Sequence, residues 1–125
     1  MTIQLGADVS VYQKGRGRPG MPGWMVRALD RRGLDFLMAR ATIGTERDPT
    51  FRPNMDIAER QHWVRGAYAF MKTSIDPERQ AAEFVRVVAG QPNPMLMALD
   101  VEWSDGELPS RADVRAWVKR FRDIP

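Results

Sequence analysis

The chain has 125 residues, 43% hydrophobic and 28% charged, and its 19 Lys and Arg against 16 Asp and Glu give a formal net charge of +3. These are globular proportions that exclude a disordered tail, and the length supports one core while falling short of the ~250 residues of a closed α/β barrel. No cysteine and a single histidine, His62, exclude disulfides, a thiol nucleophile and a multi-histidine or thiolate metal site, and leave little room for a Ser-His-Asp triad. No metal and no cofactor is expected. The basic excess suits an anionic partner such as nucleic acid or an acidic wall polymer, but for so small an excess solubility is a better account than a dedicated patch.

Four apolar runs predict strands, and the segments between them have helical periodicity. The first run, Ile3 to Val9, follows an N-terminus without the basic segment and long apolar core of a signal peptide, so synthesis in the cytoplasm is expected. It ends in Gly6-Ala7-Asp8-Val9-Ser10, where Asp8 reads equally as a turn former or as a site acid. Gly15 to Gly23 is a flexible loop. Its Gly-x-Gly is followed by prolines rather than a helix-opening glycine, which argues against a dinucleotide loop, and its two arginines are solvated or meet phosphate or carboxylate groups. Trp24, Val26 and Leu29 predict a helix that stops at Arg31-Arg32-Gly33.

The second strand is Phe36 to Ala41 and carries Arg40, which if buried requires a carboxylate. A short helix over Met55 to Gln61 leads to His62, for which a surface or capping role is expected. The third strand, Val64 to Phe70, carries Tyr68 and Phe70. Asp76-Pro77-Glu78 opens the clearest helix, with Ala81, Ala82, Phe84, Val85 and Val88 as its buried stripe and Gly90 at its end. The fourth strand, Met95 to Val101, brings Asp100 and Glu102, which two-residue alternation places on one face. A cap explains only one of these two acids. Ser110-Arg111-Ala112-Asp113 resembles a capping box and starts a last helix with Val114, Trp117, Val118 and Phe121 on its apolar face.

Strands alternating with helices predict an α/β fold with a parallel sheet and right-handed crossovers, whose chemistry sits beyond the carboxyl ends of the strands. Asp8, Arg40, Tyr68, Asp100 and Glu102 all fall at or near that end. Two neighbouring acids with a third brought near is what glycoside hydrolysis asks for. Arg and Lys spread over all the helices argue against a nucleic-acid module, and no run approaches the ~20 apolar residues of a membrane span.

Taken together, these fragments resemble glycoside hydrolase family 25, the lysozymes of bacteria, phages and some fungi. The similar segments are Gly6-Ala7-Asp8-Val9-Ser10-Val11-Tyr12-Gln13, Phe36 to Thr45 with Asp48-Pro49-Thr50-Phe51 and Asn54, Gly66-Ala67-Tyr68-Ala69-Phe70, and Leu99-Asp100-Val101-Glu102. Four matches in order cover nearly the whole chain but only the family's N-terminal half to two-thirds.

The resemblance implies a (β/α) TIM-like barrel, here residues 1–125 as a partial catalytic domain of about four βα units, that cleaves the β-1,4 bond between N-acetylmuramic acid and N-acetylglucosamine in peptidoglycan. It implies Glu102 as the general acid, Asp100 assisting the neighbouring N-acetyl group or the developing positive charge, and Asp8 completing the cluster. Arg40 would serve the substrate groove by pairing with the acids and holding them in place. Tyr68 and Phe70 would line it, with plain core their other reading, and Trp103 would be a sugar platform or a lid contact. Such an enzyme acts at the cell wall, reached by a separate release route such as a phage holin.

Ile43 and Ala69 depart from the family, where many members carry Glu and His. The chain stops at Arg122-Asp123-Ile124-Pro125, after the fourth helix, so open sheet edges are expected to favour a homodimer or docking with a complementary C-terminal half. A lysozyme-like domain that binds glycan without cutting it, a half of a split enzyme and a structural remnant are the competing readings.

Overall fold

The computed structural model describes residues 3–92 and 95–123. Met1, Thr2, Asn93, Pro94, Ile124 and Pro125, and with them both ends of the expected 1–125 domain, lie outside the described residues. In chain order come strand Gly6–Val9 (β1), helix Gly23–Arg31 (α1), strand Phe36–Ile43 (β2), the two-residue strand Glu46–Arg47 (β3) and helix Phe51–Arg60 (α2). Strand Val64–Phe70 (β4), helix Pro77–Val88 (α3), strand Leu96–Asp100 (β5) and helix Arg111–Lys119 (α4) follow. Short 3₁₀ turns, Val11–Gln13 and Arg120–Asp123, come after β1 and α4.

The long strands lie in the order β1-β2-β4-β5, with β3 beside β2 only. β1 and β2 are parallel, with Gly6 opposite Phe36 and Asp8 opposite Met38. Hydrogen bonds from Val64 N to Asp35 O and from Gly44 N to Phe70 O, both 2.9 Å, run in the same sense along β2 and β4, which makes that pair parallel too. The result is an α/β fold with an open, parallel-strand sheet whose order does not return from β5 to β1. Ala39 to Thr42 of β2 are buried without interruption, the pattern of a strand covered on both faces. The strand also continues past its expected end at Ala41, because the β-branched Thr42 and Ile43 pair antiparallel with Arg47 and Glu46. Gly44 takes φ +58 in the two-residue connection, and a Cβ there would stand 2.9 Å from Ile75 Cδ1.

The chain divides into two compact units. One comprises Met1–Arg40, Asp48–Ala67 and Pro94–Met97. Its core holds Val9, Leu37, Ala39, Phe51, Met55, Ala58, Trp63 and Ala67. The stretch after β1, expected as a flexible loop, closes on itself through Gly15 N donating to Gly20 O at 2.7 Å, with Gly17 at φ +67. α2 begins four residues earlier than its apolar pattern suggests, because Phe51 and Asn54 are buried and Pro53 is tolerated in a first turn. Both helices end in the same way. Gly33 N donates to Asp30 O and Leu34 N to Leu29 O after α1, while His62 N donates to Glu59 O and Trp63 N to Ala58 O after α2. Each is a Schellman end that needs a left-handed residue, Gly33 at φ +73 and His62 at φ +60. His62 is thus a helix terminator, as its capping expectation anticipated.

The other unit comprises Ala41–Arg47, Tyr68–Asn93 and Ala98–Pro125. Phe84 of α3 and Trp117 of α4 meet with ring centroids 5.3 Å apart, and Phe121 closes the cluster at 6.0 and 5.0 Å. Asp76 caps α3 by accepting from Glu78 N, and Ser110 caps α4 by accepting from Asp113 N at 3.1 Å. The buried stripe of α3 is rotated from the expected one: Gln80 and Val87 are inside, and Ala82 is exposed. Gln80 enters the core because its amide satisfies three backbone groups, donating to Lys72 O and Ile75 O and accepting from Lys72 N. Val118, expected on the inner face of α4, is 43% exposed.

A non-glycine residue in the left-handed region costs about 1 kcal/mol. His62→Gly is therefore expected to raise the free energy of unfolding by up to about that amount, read from urea denaturation, whereas Gly33→Ala lowers it.

Candidate active site

In the first unit, Asp8 is the exposed third residue of β1, next to buried Val9. Among the described residues its carboxylate has no hydrogen bond or ion pair. Beyond it Ser10 and Gln13 form a reciprocal capping box around the 3₁₀ turn, which fixes the chain as it leaves the strand. Arg40, on β2, is only 7% exposed. Its Nε donates to Asp48 Oδ2 at 2.9 Å, and the exposed ring of Tyr12 lies 5.4 Å from its guanidinium carbon. The carboxylate that a buried arginine requires is thus Asp48, outside the three acids of the sequence reading.

Asp48 is itself fully buried and saturated. Oδ2 also accepts from Val11 N at 3.0 Å, and Oδ1 accepts from Thr50 N at 2.8 Å and Thr50 Oγ1 at 2.6 Å. One carboxylate therefore ties together the segment after β1, the interior of β2 and the start of α2. A buried pair holds only when its remaining donors and acceptors are met in this way, and removing one partner costs about 3–5 kcal/mol. Asp48→Ala is expected to lose that much stability in urea denaturation, and the double variant Asp48→Ala with Arg40→Met to recover part of it.

In the second unit, β5 ends at half-buried Asp100, whose carbonyl accepts from Met71 N at 3.1 Å. Glu102 therefore lies past the strand, so the alternation argument for a shared face with Asp100 does not apply. Glu102 is exposed, and among the described residues its carboxylate makes no hydrogen bond or ion pair. Trp103 beside it is 71% exposed. Tyr68 and Phe70, two apart on β4, are half-buried.

The segment after Glu102 is fixed by residues that the sequence reading did not single out. Ser104 N donates to Glu107 O at 2.9 Å and Glu107 N returns a bond at 3.1 Å, around Asp105 at φ +54 and Gly106 at φ +83. Two central residues with positive φ make this the turn for which Asp-Gly is a strong signal, and that dipeptide was there to be found. Thr73 Oγ1 donates to Ser104 O at 2.6 Å, Ser74 Oγ donates to Asp105 Oδ2 at 2.7 Å, and Lys72 Nζ lies 3.9 Å from Asp105 Oδ1. Val101-Glu102-Trp103 is thus held at both ends, by Met71 and by Thr73, while the Glu102 carboxylate stays unengaged. Asp100, Glu102, Trp103, Tyr68 and Phe70 belong to this unit, and Asp8 and Arg40 to the other.

The Ser74 hydrogen bond, helped by the Lys72 charge and by Ser104, holds the Asp105 carboxyl below its ordinary value against a smaller opposing effect of desolvation. A lowered folded-state pKa contributes stability above the ordinary Asp value of about 3.9, and that contribution is lost as pH falls through the lowered value. Ser74→Ala is expected to return the Asp105 titration toward its ordinary position in a carboxyl NMR titration and to shift the loosening of this turn to higher pH.

A family model for glycosyl hydrolases family 25 matches residues 7–124. The chain belongs to this family. A family 25 glycosyl hydrolase from Bacillus anthracis is 26% identical and superposes with a TM-score of 0.72, over 95% of this chain and 53% of that one. The bacterial lysozyme from Streptomyces coelicolor is 24% identical with a TM-score of 0.71, over 98% and 58%. The modular autolysin LytC from Streptococcus pneumoniae, solved in complex with a synthetic peptidoglycan ligand, is 14% identical with a TM-score of 0.72, over 94% and 29%. The latter two are likenesses of fold. No curated protein matches the chain at a significant level. As a family 25 member, this chain spans little more than half the length of the first two structures.

Proposed function

We propose that the chain is the acid-bearing part of a peptidoglycan hydrolase of lysozyme type, which cleaves the β-1,4 bond between N-acetylmuramic acid and N-acetylglucosamine. The observation that carries this reading is the family 25 match across residues 7–124, a span that includes Asp8, Asp100 and Glu102. Glu102 donates the proton to the leaving glycosidic oxygen, a task suited to an accessible carboxyl on a segment pinned at both ends. Asp100 supports the neighbouring N-acetyl group or the positive charge that develops on the sugar, and water completes the cleavage. Asp8 is a third acid, at the carboxyl end of its own strand. Tyr68, Phe70 and Trp103 offer ring faces to sugars, and Arg40, through Asp48, fixes the chain between β1 and α2.

In this reading the enzyme acts bacteriolytically at the cell wall, in the manner of an endolysin, and further βα units complete a TIM-like barrel around the groove. A second reading is favoured by β5. Leu96 and Met97 point to opposite faces of an apolar strand yet are 47% and 38% exposed. Here the chain binds glycan strands weakly until a second copy or a complementary C-terminal half covers that strand.

Glu102→Gln keeps the shape and removes the proton donor, so release of reducing ends from purified peptidoglycan is expected to fall by about 10²–10⁴-fold with unfolding unchanged. Asp100→Asn is expected to lower turnover as well. Near-full activity in Glu102→Gln removes Glu102 from the acid role.

A further inference from the structure

A dense local surplus of basic residues lies between β1 and β2. Residues 14–33 carry Lys14, Arg16, Arg18, Arg27, Arg31 and Arg32 against Asp30 alone, a surplus larger than the +3 of the whole chain. This stretch comprises the closed loop after β1 and the whole of α1. The loop presents its arginine from a fixed backbone: Arg18 N donates to Gly15 O at 3.1 Å, and Met21 N donates to the buried Asn54 Oδ1 of α2 at 2.9 Å. Gly20 backs so closely on α2 that a Cβ there would stand 2.8 Å from Asn54 Oδ1 and 3.1 Å from Pro53 Cβ.

Two cavities of about 270 Å³ each open against this loop and share Arg18, Met21, Ile57 and Arg60 in their walls. Arg27 and Gly23 border one of them, and Asp56 borders the other. Arg27 folds back over the first turn of α1, with Nη1 3.1 Å from where a Gly23 Cβ would stand. A guanidinium there faces the positive end of the helix dipole, an unfavourable placement that a bound anion relieves. Pro22 supplies no side-chain cap to offset it. Among the described residues Arg18, Arg27 and Arg60 have no carboxylate partner. Asp56 is the one acid in either wall, so the walls retain two uncompensated positive charges.

The geometry points to a binding groove for a phosphate-bearing anionic polymer, with successive phosphodiesters held by Arg27, Arg18 and Arg60. Guanidinium groups take phosphate oxygens through paired N–H donors. Two cavities that share two arginines suit consecutive charges on one strand better than a single small ion. No aromatic ring lines either cavity, so nucleobases have nothing to stack on, and a polymer of phosphate and polyol fits better than a nucleic acid. The groove uses none of the residues assigned to hydrolysis. It would give a wall-acting protein a hold on acidic wall polymers whether or not it cuts glycan.

The test is calorimetric titration of the whole chain with poly(glycerol phosphate), at low and at physiological salt. Saturable binding is expected, weakened at least about tenfold by Arg18→Gln with Arg60→Gln. Arg31→Gln with Arg32→Gln removes the same charge from exposed positions outside the cavities and is expected to leave affinity within about twofold. Equal losses in the two double variants, with both unfolding as the parent does, mean diffuse attraction and overturn the site. Absence of saturable binding by the parent chain also overturns it. Poly-glutamate or a single-stranded oligonucleotide binding as tightly as poly(glycerol phosphate) overturns the phosphodiester assignment.

Discussion

A guanidinium inside an α/β sheet is affordable only if something equally polar comes in with it, and the fold around β1 and β2 follows from that requirement. Arg40 lies in a strand that is buried on either side of it, and Asp48 is drawn in to meet it. Each charge taken out of water costs several kcal/mol before any attraction is counted. The cost is offset because Asp48 also accepts from Val11, 37 residues away, and from nearby Thr50, so that one carboxylate joins the segment after β1 to β2 and to the start of α2. The capping box at Ser10, the Tyr12 ring over the guanidinium and the start of α2 at Phe51 all hang from this one carboxylate. Asp8 sits three residues before Val11, on the strand this network anchors.

The second unit solves a similar positioning problem mainly with neutral donors. Hydroxyls of Thr73 and Ser74 and the buried amide of Gln80 shape the loop after β4, and that loop in turn grips the turn after β5. Neutral donors carry little desolvation cost, so this arrangement works at half-exposed positions where a buried ion pair does not form. In the role proposed for Glu102, an acid that exchanges protons with substrate needs a rigid backbone and an unoccupied carboxylate together. The bracketing of Glu102 by Met71 and Thr73 supplies the first without compromising the second.

The parts of the fold that depend on local patterning were legible in the sequence. The four apolar runs mark the four long strands, and Asp76-Pro77, Ser110 and Gly33 mark helix ends through chemistry that operates within a few residues. What escaped depends on distant partners. Gln80 is polar at a helical position and so reads as exposed, yet a loop backbone eight residues earlier draws it inside. Arg40 announces that it needs a carboxylate without saying which, and the answer is eight residues further on at a position with no periodic signature. β3 is too short to show alternation. The acids themselves stood out early, because carboxylates at the ends of apolar runs are costly unless they have a use or a partner. Their grouping relied on Val101 continuing the strand, and β5 stops one residue sooner.

The strand order β1-β2-β4-β5 follows the order of synthesis. Each long strand that leaves the ribosome finds its neighbour already made, and each intervening helix brings it back to the growing edge in the right sense. Sheets whose neighbours are distant in sequence must wait for late segments and carry the loop-closure entropy of doing so. Here only a single βα unit separates one pairing from the next, so assembly can proceed from the N-terminus at the pace of translation, about 5–20 residues per second. At every stage the outer edge of the newest strand is the template for the next, while the outer edge of β1 takes no part in the growth.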